Sequence, residues 1–176
     1  MKFAENLYRL GTESAFAILA EAKKVEASGK KIINLGIGQP DFKTPKHVAE
    51  AAKKAIDDGH HGYVVSNGIQ ECREAVCRKI KKLYGTEIHS DRIIITPGGK
   101  PTMYFAISMF GEPDAEIIYP DPGFPVYESM INYTGAKAVP YSILDSKDLK
   151  FDPEKILSLI NEKTRMLVII NPNNPT

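Results

Sequence analysis

Apolar residues recur at three- and four-residue spacing in three stretches of the first half of the chain, then give way to short apolar runs separated by helical stretches. Over residues 14–28, Ile18, Leu19, Ala22 and Val25 make one face, and Gly29 follows as a stop. Residues 31–35 read as a short extended segment leading into the loop Gly36-Ile37-Gly38-Gln39-Pro40-Asp41-Phe42, whose glycines allow close approaches that a side chain would block. Thr44 is placed to cap a helix with Pro45 at its first position. Val48, Ala51, Ala52, Ala55 and Ile56 form the face of that helix, and Gly59 ends it. Residues 69–84 repeat the pattern with Ile69, Cys72, Val76, Ile80 and Leu83, closed by Gly85.

From Arg92 onward the rhythm is that of parallel βαβ construction: expected strands at 93–96, 116–119, 136–139 and 166–170, with helices at 100–110, 124–134 and 153–162 between them. The first of these helices is apolar nearly all round, which predicts burial. The run Met166-Leu167-Val168-Ile169-Ile170 reads as a buried parallel strand, and the Asn-Pro cluster after it as the turn that launches a crossover. The expectation is therefore a piece of a larger protein. The Gly-rich segment near residues 36–45 is the place where a peripheral part would join the sheet domain.

Composition narrows the function classes. The 176 residues are 43% hydrophobic and 26% charged, ordinary for about one globular domain. Lys and Arg number 23 against 22 Asp and Glu, so no basic excess draws the chain to nucleic acid or an anionic membrane. No run approaches the roughly 18 apolar residues of a membrane span, and the start lacks a signal-peptide core, so the reading places the protein in the cytoplasm. Cys72 and Cys77, roughly 140° apart around one helix, suit a reduced compartment and mark no metal site. His60-His61 reads as a solvated turn, since no third ligand is evident.

In an open parallel sheet, ligands bind outside the carboxyl ends of the strands. After the expected strand 93–96 comes Pro97-Gly98-Gly99-Lys100-Pro101 at a helix start, where bare backbone N–H groups and the helix dipole suit a phosphate; a plain tight turn uses the same residues. It is neither the dinucleotide fingerprint nor a Walker loop. After 116–119 comes Pro120-Asp121-Pro122-Gly123-Phe124, with Phe124 either stacking on a flat heterocycle or plugging the core. Tyr127 either belongs to the core or borders the ligand. After 166–170 come Asn171, Asn173 and Asn174, whose amides either donate to a ligand or cap the turn.

Gly38-Gln39-Pro40-Asp41-Phe42, then Tyr63 with Gly68 and Arg73, then Thr96-Pro97-Gly98-Gly99-Lys100, then Pro120-Asp121-Pro122-Gly123-Phe124, then Asn171-Pro172-Asn173-Asn174-Pro175-Thr176 is an order that resembles the class I/II aminotransferases, the aspartate aminotransferase group of fold-type I pyridoxal-phosphate enzymes. The resemblance covers essentially the whole chain. It implies an α/β fold, a three-layer, mostly parallel sheet of the pyridoxal-phosphate transferase type, incomplete in this chain. Residues 1–44 would contribute to the small domain and 45–176 would form the first part of the large cofactor-binding domain.

The resemblance implies pyridoxal 5'-phosphate as cofactor and an amino acid and a 2-oxo acid as substrates. Gly38 would approach the substrate carboxylate, Gly99 and Lys100 would cradle the phosphate through their backbone, Phe124 would stack on the pyridine ring, and Asn174 would donate to its phenolic oxygen. Tyr63 would reach the phosphate of a neighbouring subunit, which implies a homodimer. Pro101 departs from the family by lacking a donor N–H, Phe124 stands where a tryptophan or tyrosine often stacks, and Cys72 replaces a leucine. The Schiff-base lysine, the acidic partner of the pyridine nitrogen and the carboxylate-binding arginine lie downstream in this family, so the 176 residues alone are expected to be inactive and poorly folded. Lys100, at the helix start, is not that lysine. Lyase or synthase chemistry of the same fold, or a non-catalytic cofactor-binding or regulatory fragment, remains the alternative.

Overall fold

A computed structural model describes residues 2–11, 14–36, 38–144 and 151–176; Ile37 of the glycine loop lies outside them. The chain divides into two compact units, one made of Met1–Gly38 with Lys100–Thr176 and the other of Gln39–Gly99.

The first unit is built on a parallel three-stranded sheet of β1 (Glu116–Asp121), β2 (Lys137–Ser142) and β3 (Thr164–Leu167), in the order β2-β1-β3. The central strand β1 is buried from Glu116 to Pro120, as a strand covered on both faces must be. Its neighbours Ile117 and Ile118 point to opposite faces, and each seeds a separate core. Ile117 and Tyr119 pack with Ala115, Ala136, Val168, Ile107 of α4 (Lys100–Phe110) and Ile131 of α5 (Val126–Thr134). Ile118 packs with Tyr141, Ile143 and Ile156 of α6 (Pro153–Leu159). Helices on both faces of one parallel sheet give the three-layer α/β architecture expected from the sequence. Burying each of these isoleucines contributes about 1.5–3 kcal/mol. A 3-10 turn over Glu5–Arg9 precedes Gly11, whose N–H donates to Ser129 Oγ of α5 at 2.9 Å; α1 (Ser14–Ala27) follows.

Several expectations need correction. Residues 93–96 form no strand: the Ile95 N–H donates to Asn67 O at 3.1 Å instead of to a ladder. The helix expected over 153–162 stops at Leu159. Asn161 turns the chain there, its Oδ1 accepting from Lys163 N–H and its Nδ2 donating to Glu116 Oε2, the local bonding by which asparagine competes with a helix. The strand expected at 166–170 spans Thr164–Leu167, with one further bond from Val168 N–H to Ile118 O at 2.8 Å. Helix α4 is not buried all round: Ile107 faces the core, while Phe105 is 60% and Met109 76% exposed, because only one side meets α5 and β3.

The second unit holds α2 (Lys46–Asp57), α3 (Gln70–Tyr84), a 3-10 turn at Ser90–Arg92 and the irregular residues 93–96. Thr44 makes no cap. Pro45, with φ −52° and ψ 137°, is itself the half-in residue, and its carbonyl accepts from Val48 and Ala49 N–H, so α2 starts one residue later than proline at the first helical position would give. Arg73 is the buried residue of α3.

Candidate functional site

Parallel pairing puts the carboxyl ends of β1 and β3 on one edge of the sheet. The β1 turn continues through Pro122 and Gly123 to Phe124. Gly123 is obligatory, because a Cβ there would lie 2.3 Å from Pro120 O. Phe124 is half-buried, and the ammonium of Lys100, the first residue of α4, sits 5.8 Å from its ring centroid, within range of a cation–π attraction. Beyond β3, Asn173 Nδ2 donates to Pro122 O at 3.3 Å and to Thr176 Oγ1 at 2.6 Å. The post-β1 turn therefore meets the start of α4 through Lys100–Phe124 and the post-β3 turn through Asn173–Pro122. Asn174, beside Asn173, is exposed.

Gly99 is the last residue of the second unit and directly precedes α4. The turn before it is closed locally by Gly98 N–H on Thr96 O at 2.9 Å and by Thr96 Oγ1 on Gly98 O at 2.6 Å, with Gly98 at φ +84°. No heavy atom beyond its chain neighbours lies within 4 Å of where a Cβ on Gly99 would stand. Its backbone thus faces open space at a helix N-terminus, the surroundings an anion needs. Within the first unit, the cation at Lys100, the aromatic face at Phe124 and the exposed amide at Asn174 are donor types that suit a flat phosphorylated heterocycle. Gly38 likewise has nothing within 4 Å of a Cβ position. Tyr63 lies in the second unit, fully exposed in the loop between α2 and α3.

Tyr127 is partly buried and packs against the Ile117 core, and burial raises its phenol pKa. Tyr119, deeper in that core, is pushed up to about 12 by burial first and then by the charges of Glu128 and Asp121. Both phenols stay neutral near pH 7. At the opposite end of β1, Glu116 accepts from Lys137 Nζ at 2.8 Å and from Asn161 Nδ2 at 2.8 Å. These two bonds, Lys137 first, hold its carboxyl below the usual value against the opposing effect of burial. It lies at the amino ends of the strands and belongs to the frame. His60 and His61 are exposed, and no group of three His, Cys, Asp or Glu residues suited to a metal occurs among the described residues.

Two features escaped the sequence reading. Asn173 does not simply cap its own turn; it ties that turn to the one after β1. Arg73 is buried and binds the backbone, a role signalled by its place on the stripe Ile69, Val76, Ile80 and Leu83.

Residues 30–176 match the sequence family described as Aminotransferase class I and II. The chain is 34% identical over 176 residues to an aspartate aminotransferase of Bacillus subtilis, covering 100% of this chain and 45% of that protein. To an aspartate aminotransferase of Pyrococcus horikoshii it is 39% identical over 173 residues, covering 98% and 43%. Among solved structures, an alanine aminotransferase from Pyrococcus furiosus superposes with a TM-score of 0.92 at 30% identity, covering 99% of this chain and 45% of that one. The aspartate aminotransferase of Thermus thermophilus with maleate gives 0.92 at 30% identity, covering 100% and 46%. The chain thus spans a little under half the length of these relatives. On the match over residues 30–176 and these likenesses, the chain belongs to the class I and II aminotransferase family.

Proposed function

We propose that this chain supplies part of the pyridoxal 5'-phosphate site of an enzyme that transfers an amino group between an amino acid and a 2-oxo acid. The observation that carries the reading is the meeting of the α4 start, the Phe124 turn and the Asn173 turn at the sheet edge. In this reading the N–H groups of Gly99 and Lys100 bind the phosphate, and the Lys100 cation adds to the field there. The Phe124 ring lies against one face of the pyridine and excludes water from it. The Asn174 amide donates to the phenolic oxygen, with Asn173 holding its turn against Pro122. Gly38 offers its bare backbone to the substrate carboxylate.

Pyridoxal phosphate, when bound, supplies the carbonyl that takes up the amino group and the ring that accepts the electron pair left when the α-proton departs. None of the residues above is assigned the amine that links to it. Residues 1–44 go with the small domain and 45–176 with the large one, in a cytoplasmic homodimer in which Tyr63 reaches the partner subunit's phosphate.

The test uses the parent protein. With pyridoxal phosphate it should develop a visible absorption band and exchange amino groups with at least one member of an amino acid panel. Ammonia release without exchange would move it to lyase chemistry, and a bound cofactor with no turnover on any panel member would mark it as a binding protein.

A further inference from the structure

Residues 93–96, before Gly99, have no sheet partner among the described residues, so something other than a ladder must hold them. Two backbone carbonyls do so. Ile93 N–H donates to Ser90 O at 3.1 Å, and Ile95 N–H donates to Asn67 O at 3.1 Å. One side chain binds the first anchor directly and the carbonyl next to the second. Arg73 Nη1 donates to Ser90 O at 3.0 Å, and Arg73 Nε donates to Gly68 O, the residue after Asn67, at 3.0 Å. The guanidinium is itself held by Gln70 Oε1 at 2.5 Å and stands 3.6 Å from Asp91. Gly68, at φ +95°, packs so closely on Ile95 that a Cβ would come within 2.6 Å of its side chain. The arginine is 7% exposed, and a planar fork of donors is the shape that grips two divergent carbonyls at once.

We propose that Arg73 is a positioning residue for phosphate binding: by clamping the Gly68 and Ser90 carbonyls it sets the path of residues 93–96 and hence the aim of the Gly98-Gly99 backbone. The inference rests on the phosphate role proposed for Gly99. Arg73 touches no substrate and acts only through the backbone it holds. Its loss should therefore weaken recognition of the phosphate group more than recognition of the ring.

The experiment measures, in the parent protein, the affinities for pyridoxal 5'-phosphate and for unphosphorylated pyridoxal, with thermal unfolding of each cofactor-free variant alongside. Arg73→Lys keeps the charge and loses the fork. It should lower the affinity for the phosphorylated form by about tenfold, the size of one hydrogen bond to a charged group, while pyridoxal affinity changes by less than about threefold. Gln70→Ala, an exposed change that removes one support of the guanidinium, should give the same selectivity at roughly threefold and serves if Arg73→Lys does not fold. Equal loss of both affinities, or an unchanged ratio in both variants, would overturn the inference. A wild-type protein that binds the two compounds equally well would instead overturn the phosphate reading of Gly99 itself.

Discussion

Replacing Gly99 with alanine separates what the protein needs from what a ligand needs. A Cβ at this position meets no heavy atom within 4 Å, and Gly99 is not among the positive-φ glycines. The folded protein therefore has room for the methyl group, and the lost chain entropy of the unfolded state should even stabilise it by about 0.4–1 kcal/mol. A phosphate approaching the Gly99 N–H would meet that methyl first. Losing one backbone hydrogen bond to a charged oxygen costs about 1.5–3 kcal/mol, or roughly 10- to 150-fold in affinity. Equilibrium titration of the parent protein with pyridoxal phosphate, set beside thermal unfolding of the cofactor-free form, reads both quantities. Wild-type affinity in Gly99→Ala, or an affinity loss matched by lower stability of the cofactor-free protein, would refute the reasoning.

Other outcomes follow from the frame around the site. Ile118→Ala should cost about 2–5 kcal/mol, since Ile118 is fully buried between β1 and α6, and denaturant unfolding would show it as a lower midpoint. The Glu116 carboxyl is held below its ordinary value by Lys137 and then Asn161, so its contribution is present above the ordinary carboxylate range and is lost as pH falls through the lowered value; Glu116→Gln should flatten the acid limb of the stability curve and leave the neutral region nearly level in slope. Tyr119 titrates at about 12 when folded against an ordinary value of 10. Its contribution is whole below pH 10 and lost as pH rises toward 12, so phenolate absorbance should show, besides the raised Tyr127 and Tyr141, a late component near pH 12 that Tyr119→Phe removes.

What the sequence disclosed follows from how local each signal is. Helix α3 was legible because its apolar stripe and Gly85 stop lie within one element. The three strands were legible as short apolar runs between helices, though their bounds differ: β2 spans Lys137–Ser142 instead of 136–139 and β3 spans Thr164–Leu167 instead of 166–170. Residues 93–96 carry the same composition as a strand, Ile93-Ile94-Ile95-Thr96, yet pair with loop carbonyls, because whether a neighbour strand is available is not written in the segment itself. Helix α4 looked buried because its sequence is apolar on every side, and exposure depends on what packs against each side. Within the candidate site, the Gly99, Phe124 and Asn174 turns were readable as unusual residues at expected strand ends. The bridge from Asn173 to Pro122 was not, since it joins positions 51 residues apart. Arg73 offered a usable clue: a charge at an apolar-stripe position of a helix needs buried acceptors, and Gly68 and Ser90 provide them.

The account stands on one arrangement, a single phosphorylated ring met by the turns of Gly99, Phe124 and Asn174. A crystal structure of the parent protein with pyridoxal 5'-phosphate measures it directly. The phosphate should lie within hydrogen-bond distance of the Gly99 and Lys100 N–H groups, the pyridine against Phe124, and the phenolic oxygen on the Asn174 amide. A cofactor bound elsewhere, or one whose phosphate is held by groups outside the α4 start, would contradict it.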